Sequence, residues 1–188
     1  KRFDNDLFLQ PRPSALLPSY ANIKILDVGA GPLTVLGKKV EGKNISIIAV
    51  DPLADEYDQI LNQFNIKPFV KTQMGYAEKL NEKFKTNSFD LVFSCNAIDH
   101  CFNPEEAILQ MVALVKQDCY VLLEHGINEA ENQNYSGFHQ WNFSLSNDND
   151  FIISNKKTSI NMTKKYADIC TIKSEQINNA IINRILKH

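Results

Sequence analysis

The sequence predicts an α/β fold: a Rossmann-like, doubly wound, mostly parallel sheet with helices packed on it. Two observations carry this. Short, β-rich apolar runs alternate with helical patterns, and the first run ends at a glycine turn, Gly29-Ala30-Gly31. A third observation concerns the tail, where two strand-like runs are joined by a connection too short for a parallel crossover. Runs that are apolar on both faces belong in the middle of a parallel sheet covered by helices. Strand–helix alternation of this length gives a doubly wound sheet.

The elements follow in order. Pro11, Pro13 and Pro18 punctuate the start of the chain and leave room for no more than a helical turn between them. Strands are expected over Ile23–Val28, Ile45–Val50, Pro68–Lys71, Phe89–Cys95 and Cys119–Glu124. Helices fit over Leu53–Phe64 and Pro104–Lys116, the second entered through Asn103 as N-cap with Pro104 at the first helical position. Ala107, Ile108, Met111, Val112 and Val115 recur there at helical spacing and make one apolar face. In the tail, Phe151–Met162 and Ala167–Lys173 read as strands joined through Thr163–Tyr166, so the sheet ends in an antiparallel pair. A last helix over Glu175–Lys187, with Ile177, Ile181 and Ile185 on its apolar face, closes the chain.

Composition narrows the function. The 188 residues suffice for one domain with a real core and are too few for two ordinary ones. Apolar residues make up 44% and charged residues 22%, a globular balance. A net charge of -2 gives no strong field for nucleic acid or an anionic membrane. No apolar run approaches the roughly 20 residues of a membrane span. The chain opens at Lys1 without an initiator Met, which leaves room for an upstream segment, and no signal-peptide core is visible. Cys95, Cys101, Cys119 and Cys170 form no CxxC pair and lie in or beside apolar runs, as in a reduced cytoplasmic protein. The spacing of Cys95, His100 and Cys101 fits no zinc module.

The informative motif is Asp27-Val28-Gly29-Ala30-Gly31-Pro32-Leu33. Two glycines two apart at a strand end let the backbone turn tightly and approach a ligand with no Cβ in the way. Asp51 ends the second strand, where a carboxylate accepts both hydroxyls of a ribose. The pair points to an adenosine-containing ligand, with dinucleotide sites using the same devices. Asp27 beside the turn would repel a pyrophosphate and tolerate a cationic sulfonium. Thr34 stands where GxGxxG needs its last glycine, and the hairpin ending does not suit a dehydrogenase sheet.

This ordered set resembles class I S-adenosylmethionine-dependent methyltransferases over roughly residues 23–125. The Asp27–Leu33 segment is similar to their motif I, and Asp51 to their ribose-binding acid. Gly75-Tyr76-Ala77-Glu78-Lys79-Leu80 resembles the segment that flanks the adenine. Ser88–Ser94 resembles motif IV, and Asn96-Ala97-Ile98-Asp99-His100 the turn after it. The resemblance implies strand order 3-2-1-4-5-7-6 with strand seven antiparallel, and S-adenosyl-L-methionine as cofactor. It implies a binding set of Asp27, Gly29, Gly31, Asp51, Pro52, Ala77, Glu78 and Asn96. Leu33 replaces the third motif-I glycine. Tyr76 replaces the usual polar residue before Ala77, so adenine recognition rests on the Ala77 N–H and on stacking.

The single domain then divides into a lid or cap segment (1–22), a cofactor-binding core (23–125) and an acceptor-side loop with terminal hairpin and helix (126–188). Methyl transfer from a sulfonium needs acceptor and methyl aligned, and a proton removed if the acceptor is a hydroxyl or ammonium. In an open α/β sheet this happens beyond the carboxyl ends of the strands. His125 and His139 are the candidate bases, because imidazole titrates near neutral pH. Arg12, Tyr20, His100, Glu124 and Trp141 are the candidate acceptor contacts, with Phe8 and Gln10 beside Arg12 and Tyr20 in the lid segment. A metal on Asp99, Glu124 and Asn128 is conceivable and is not expected. The expected acceptor is a small polar molecule such as a sugar or phosphorylated amino alcohol, with no nucleic acid or membrane partner. The sequence is silent on oligomeric state. Two other readings share part of the motif: a cofactor-binding module that serves a partner without its own catalysis, and a nicotinamide-dependent oxidoreductase.

Overall fold

The computed structural model describes residues 2–188; Lys1, the first residue of the expected lid segment, lies outside the described residues. The elements are α1 (Pro11–Ser14), β1 (Asn22–Val28), β2 (Asn44–Asp51), α2 (Ala54–Gln63), β3 (Thr72–Met74) and a 3-10 segment over Ala77–Glu82. Next come β4 (Phe89–Cys95), a 3-10 turn over Ile98–His100, α3 (Pro104–Leu114), β5 (Val115–Gly126) and α4 (Glu129–Asn132). The tail holds β6 (Asn142–Leu145), β7 (Phe151–Ser154), β8 (Ser159–Asn161), α5 (Met162–Lys165), β9 (Cys170–Ile177) and β10 (Ala180–Lys187).

The main sheet runs β3-β2-β1-β4-β5-β10-β9, and a small sheet runs β6-β7-β8. β1 through β5 pair in parallel, whereas β10 pairs antiparallel with both β5 and β9. With β10 as strand seven and β9 as strand six, this is the order the resemblance implies. The fold class therefore stands. Entry to α3 is also as expected: Pro104 opens it, and the Asn103 side chain accepts from Glu106 N at 3.2 Å.

The tail departs from expectation. The helix expected over Glu175–Lys187 is absent; that stretch forms part of β9 and all of β10, joined at Asn178-Asn179 with Asn178 at φ 54°. Strand β10 lies between two neighbours, so Ile181, Ile182 and Ile185 are all buried and the alternation of a half-exposed strand is lost. Isoleucines four apart then mimic a helix face, while a two-residue asparagine turn between β-branched runs is the hairpin signal. The expected Phe151–Met162 strand breaks at Asn155, whose side chain accepts from Lys157 N and Thr158 N to turn β7 into β8. The Thr163–Tyr166 connection lies mostly in α5, capped by Asn161. The third strand sits at Thr72–Met74, just past the expected Pro68–Lys71.

Two cores flank the main sheet. One packs Val92, Leu123 and Ile181 against α3 and the small sheet through Met111, Phe143 and Phe151. The other packs Ile25, Leu91, Phe93, Leu122 and Ile182 beneath Leu9 and Leu36, from the N-terminal stretch and the loop after β1. That cover is pinned: Leu9 N donates to Lys39 O at 2.8 Å, and Gln10 Nε2 to Val35 O at 2.6 Å. No helix among the described residues is long and apolar enough to cross a membrane.

Candidate functional site

The glycine turn leaves β1 with Gly29 at φ 70° and Gly31 at φ 65°, left-handed conformations that favour glycine. Gly29 N and Ala30 N donate to Val50 O at 2.8 and 3.1 Å, which docks the turn on the end of β2. A Cβ at position 29 would stand 2.2 Å from the Ala97 Cβ, so no side chain fits there. At Gly31 the same Cβ would meet nothing within 4 Å; the turn faces open space. Gly31 N donates to Asp51 Oδ2 and Leu53 N to Asp51 Oδ1, both at 3.0 Å. Each carboxylate oxygen keeps a further lone pair for a hydroxyl donor.

Asp27 is 2% exposed, and its Oδ2 accepts from the Thr34 hydroxyl. Burial pushes its carboxyl up to about 7 although the Thr34 bond opposes the shift. A carboxyl poised there ionises fully when a cation stands beside it. Thr34, where a dinucleotide motif has glycine, is therefore the partner of that buried acid.

Pro52 is exposed directly after Asp51. Ala77 opens its 3-10 segment, so its N–H has no acceptor within that segment. Glu78 accepts from Asn103 N at 3.3 Å, tying the segment to the cap of α3. Asn96, at φ 47°, braces the carboxyl ends of two strands: its N donates to Glu124 O and its Oδ1 accepts from Gly126 N, each at 2.9 Å. The residues of the binding set fit an adenosine-bearing cation. At Gly31 the turn faces open space, Asp51 keeps free lone pairs beside it, and the buried Asp27 lies behind the turn.

On the acceptor side, strand alternation separates two expected neighbours. Glu124 and His125 are consecutive in β5, so their side chains leave on opposite faces of the sheet. His125 is 1% exposed in the α3-side core, with its ring centroid 4.7 Å from that of Phe143. Its Nε2 accepts from Ile98 N at 3.1 Å and Ala97 N at 3.3 Å. Burial holds the imidazole neutral, down to about 4. The expectation that His125 is a base is corrected on these grounds. Its accepting nitrogen is occupied, and its role is to hold the turn that carries Ala97, the residue against Gly29.

Tyr20 is also corrected. Its hydroxyl donates to Asp90, and the ring lies under Lys116 Nζ at 5.5 Å from the centroid. Both partners sit near the amino-terminal ends of β4 and β5, about 20 Å of strand away from the site. Trp141 is half-buried against the α3-side core, just before β6.

Glu124 faces the other way and takes a 2.6 Å ion pair from Arg12. The two line a cavity of about 660 Å³ with Gln10, Phe93, Cys95, Glu175 and Arg184. Arg184 pairs with Glu175 at 2.5 Å, a second ion pair in the same wall. Sequence reasoning missed Arg184 and Glu175 because a helix was assigned to their segment; as neighbours across an antiparallel pair they share one face. Glu124 is thus engaged away from Asp99, and the conceivable set of Asp99, Glu124 and Asn128 is not assembled.

The long loop after β5 brings His139 to the 3-10 turn after β4. His139 Nδ1 stands 3.3 Å from Asp99 Oδ2 and 3.3 Å from His100 Nε2. His100 Nε2 is 3.4 Å from the same Asp99 oxygen. Asp99 is 3% exposed, and its Oδ1 has no hydrogen-bond partner among the described residues. The two histidines are partly exposed, and the aromatic ring of Phe138 lies 6.2 Å from His100.

Comparison with known proteins gives the family and the fold. Residues 26–123 match the methyltransferase domain family. No curated protein sequence matches the chain. Among solved structures, the CurJ carbon methyltransferase aligns at TM-score 0.60 with 14% identity, over 92% of this chain and 50% of its own length. The chain therefore spans half the length of that protein. A complex of a methyltransferase and its activator from Haloferax volcanii aligns at TM-score 0.59 with 11% identity, over 94% and 86%. A protein named for S-adenosylmethionine-dependent methyl transfer in Listeria monocytogenes aligns at TM-score 0.59 with 11% identity, over 94% and 97%. These likenesses give the fold, and the match over 26–123 gives the family. With its glycine turn and sheet order in place, the chain belongs to the class I methyltransferases that use S-adenosyl-L-methionine.

Proposed function

We propose that the chain methylates a hydroxyl or amine of a small polar acceptor carrying an anionic group, of the sugar or phosphorylated amino-alcohol type. The observation that carries this is the cavity of about 660 Å³ at the carboxyl ends of β4 and β5, with Arg12–Glu124 and Arg184–Glu175 in its wall. A cavity of this size suits a small ligand. Two guanidinium groups recognise phosphate or carboxylate by paired hydrogen bonds, and the two glutamates accept from hydroxyl or ammonium donors. The net charge of -2 supports a small acceptor over nucleic acid. Four free cysteines fit a cytoplasmic setting.

When bound, S-adenosylmethionine supplies a methyl on a sulfonium, and the carbon–sulfur electron pair stays on sulfur as the acceptor's lone pair forms the new bond. In this reading Asp51 accepts from the ribose hydroxyls, Asp27 faces the positive charge, and the Ala77 N–H reads the adenine. The acceptor's proton leaves to solvent from the cavity, whose Glu124 and Glu175 carboxylates accept hydrogen bonds from the reacting group.

The test is turnover with a panel of matched acceptors, with and without phosphate or carboxylate, followed through formation of S-adenosylhomocysteine. Anionic members should react with a kcat/KM at least about tenfold higher, the worth of one charge-assisted bond. Preference for neutral acceptors, or turnover only on peptide or nucleic acid, would overturn the proposal.

A further inference from the structure

We propose that Asp99, His100 and His139 form a tetrahedral binding site for a divalent transition metal, zinc by the chemistry of the donors. The inference rests on the methyl-transfer reading above and adds to it a metal site beside the turn that abuts Gly29. The inward-facing atoms are two imidazole nitrogens and one carboxylate oxygen, and they form an almost equilateral triangle of 3.3, 3.3 and 3.4 Å. Ligands held about 2.0–2.1 Å from zinc at the tetrahedral angle stand about 3.3–3.4 Å apart. Adjacent ligands of an octahedral ion at the same bond length would stand about 2.9 Å apart. The edges fit the tetrahedral case. Hydrogen bonds between imidazolium and carboxylate would draw the pairs closer, to about 2.7–2.9 Å.

A second observation points the same way. The carboxylate of Asp99 is buried, and its Oδ1 has no hydrogen-bond partner among the described residues. A buried carboxylate left half satisfied is costly, and a cation on its other oxygen offsets that cost. The nearby His125 does not supply the charge, because its own ring is held neutral with Nε2 on the backbone of Ala97 and Ile98.

Three protein ligands of this kind leave a fourth corner, which is the arrangement of catalytic rather than structural zinc. His100 and His139 are both partly exposed, so the fourth corner opens toward solvent. A water or a hydroxyl oxygen would complete the set there, and zinc would ease the loss of its proton to solvent, as it does for bound water. The chain positions this for methyl transfer. Asp99 and His100 directly follow the Ala97-Ile98 turn, and Ala97 abuts the glycine turn at Gly29.

The test loads the purified protein with Zn²⁺ alone, removes excess by dialysis and measures bound metal, with Co²⁺ as a spectroscopic substitute. One equivalent should be retained, and cobalt should give the intense visible bands of tetrahedral coordination. His100→Ala and His139→Ala, both at partly exposed positions, should each weaken zinc binding by about 100-fold or more. S-adenosylhomocysteine affinity should stay within about twofold in both variants, which shows that the fold is intact. Retention below about one tenth of an equivalent, or unchanged affinity in both variants, would overturn the site. Zinc bound as described in a protein that methylates no small acceptor would defeat the functional reading and leave the metal site standing. Full turnover in chelator-treated protein would remove the metal's role in the reaction and leave the functional reading intact.

Discussion

His125→Leu separates a structural histidine from a catalytic one. The imidazole Nε2 accepts from Ala97 N and Ile98 N inside the core, and leucine of similar size removes that acceptor while keeping the volume. Losing the partner of a buried N–H costs about 1–3 kcal/mol, and the Ile98 bond at 3.1 Å is the better made of the two, so the variant should be about 3 kcal/mol less stable at pH 7.5. The pH dependence is the sharper test. The folded imidazole titrates at about 4 and an unfolded one near 6.5. Between these values only the unfolded chain takes up the proton, so wild-type stability falls as pH drops from 6.5 toward 4. At pH 4.5 that loss is about 3 kcal/mol, from roughly two pH units at 1.36 kcal/mol each. Leucine has no proton to take up, so the gap between wild type and variant should close to less than about 1 kcal/mol. Urea unfolding at both pH values, followed by fluorescence of the single tryptophan, Trp141, reads this directly. A gap of equal size at pH 7.5 and 4.5 would refute the buried, neutral, accepting imidazole.

Further outcomes follow from the cofactor side. Asp51→Ala should weaken S-adenosylmethionine binding at least about tenfold by calorimetry, since a ribose diol loses its acceptor; unchanged affinity in a folded variant contradicts the ribose assignment. Gly29→Ala places a Cβ 2.2 Å from that of Ala97 in a left-handed conformation, so binding should fall by about 100-fold or more while Gly31→Ala folds normally. The Asp27 carboxyl, pushed up to about 7, should make S-adenosylmethionine affinity rise with pH between about 6 and 7.5 and level off above. In Asp27→Asn the affinity should be lower and flat with pH; a wild-type slope in that variant assigns the titration to another group. Arg184→Ala should raise KM for the anionic acceptor about tenfold or more and leave cofactor affinity intact; an unchanged KM removes Arg184 from the acceptor's wall.

What could be read without coordinates was local. The Gly29–Gly31 turn and the acid at Asp51 each lie at the end of one strand, so their spacing along the chain carries their geometry. The start of α3 was equally legible, because Asn103 and Pro104 act on their own helix. The fate of Glu124 and His125 was not, since adjacent residues of a strand face opposite sides and only the sheet says which side is core. Hiding β10 between β5 and β9 erased the alternation that would have marked it, and with it the roles of Glu175 and Arg184. The Asp99 and His139 pair spans 40 residues and exists only because the loop after β5 folds back over the turn after β4. Tyr20 fails for the converse reason: a residue near the strands in sequence sits at their wrong end.

In the proposed function, this glycine turn and this cavity together deliver a methyl group to a small acceptor. The most direct measurement supplies S-adenosylmethionine labelled in its methyl carbon and follows the label and S-adenosylhomocysteine together in the presence of a phosphorylated amino alcohol or sugar. One labelled methyl should appear on the acceptor for each S-adenosylhomocysteine formed, with both falling at least about fivefold in Asp51→Ala and in Gly29→Ala at a cofactor concentration near the wild-type Kd. Label appearing on no small acceptor, or products formed at the wild-type rate in Asp51→Ala, would contradict it.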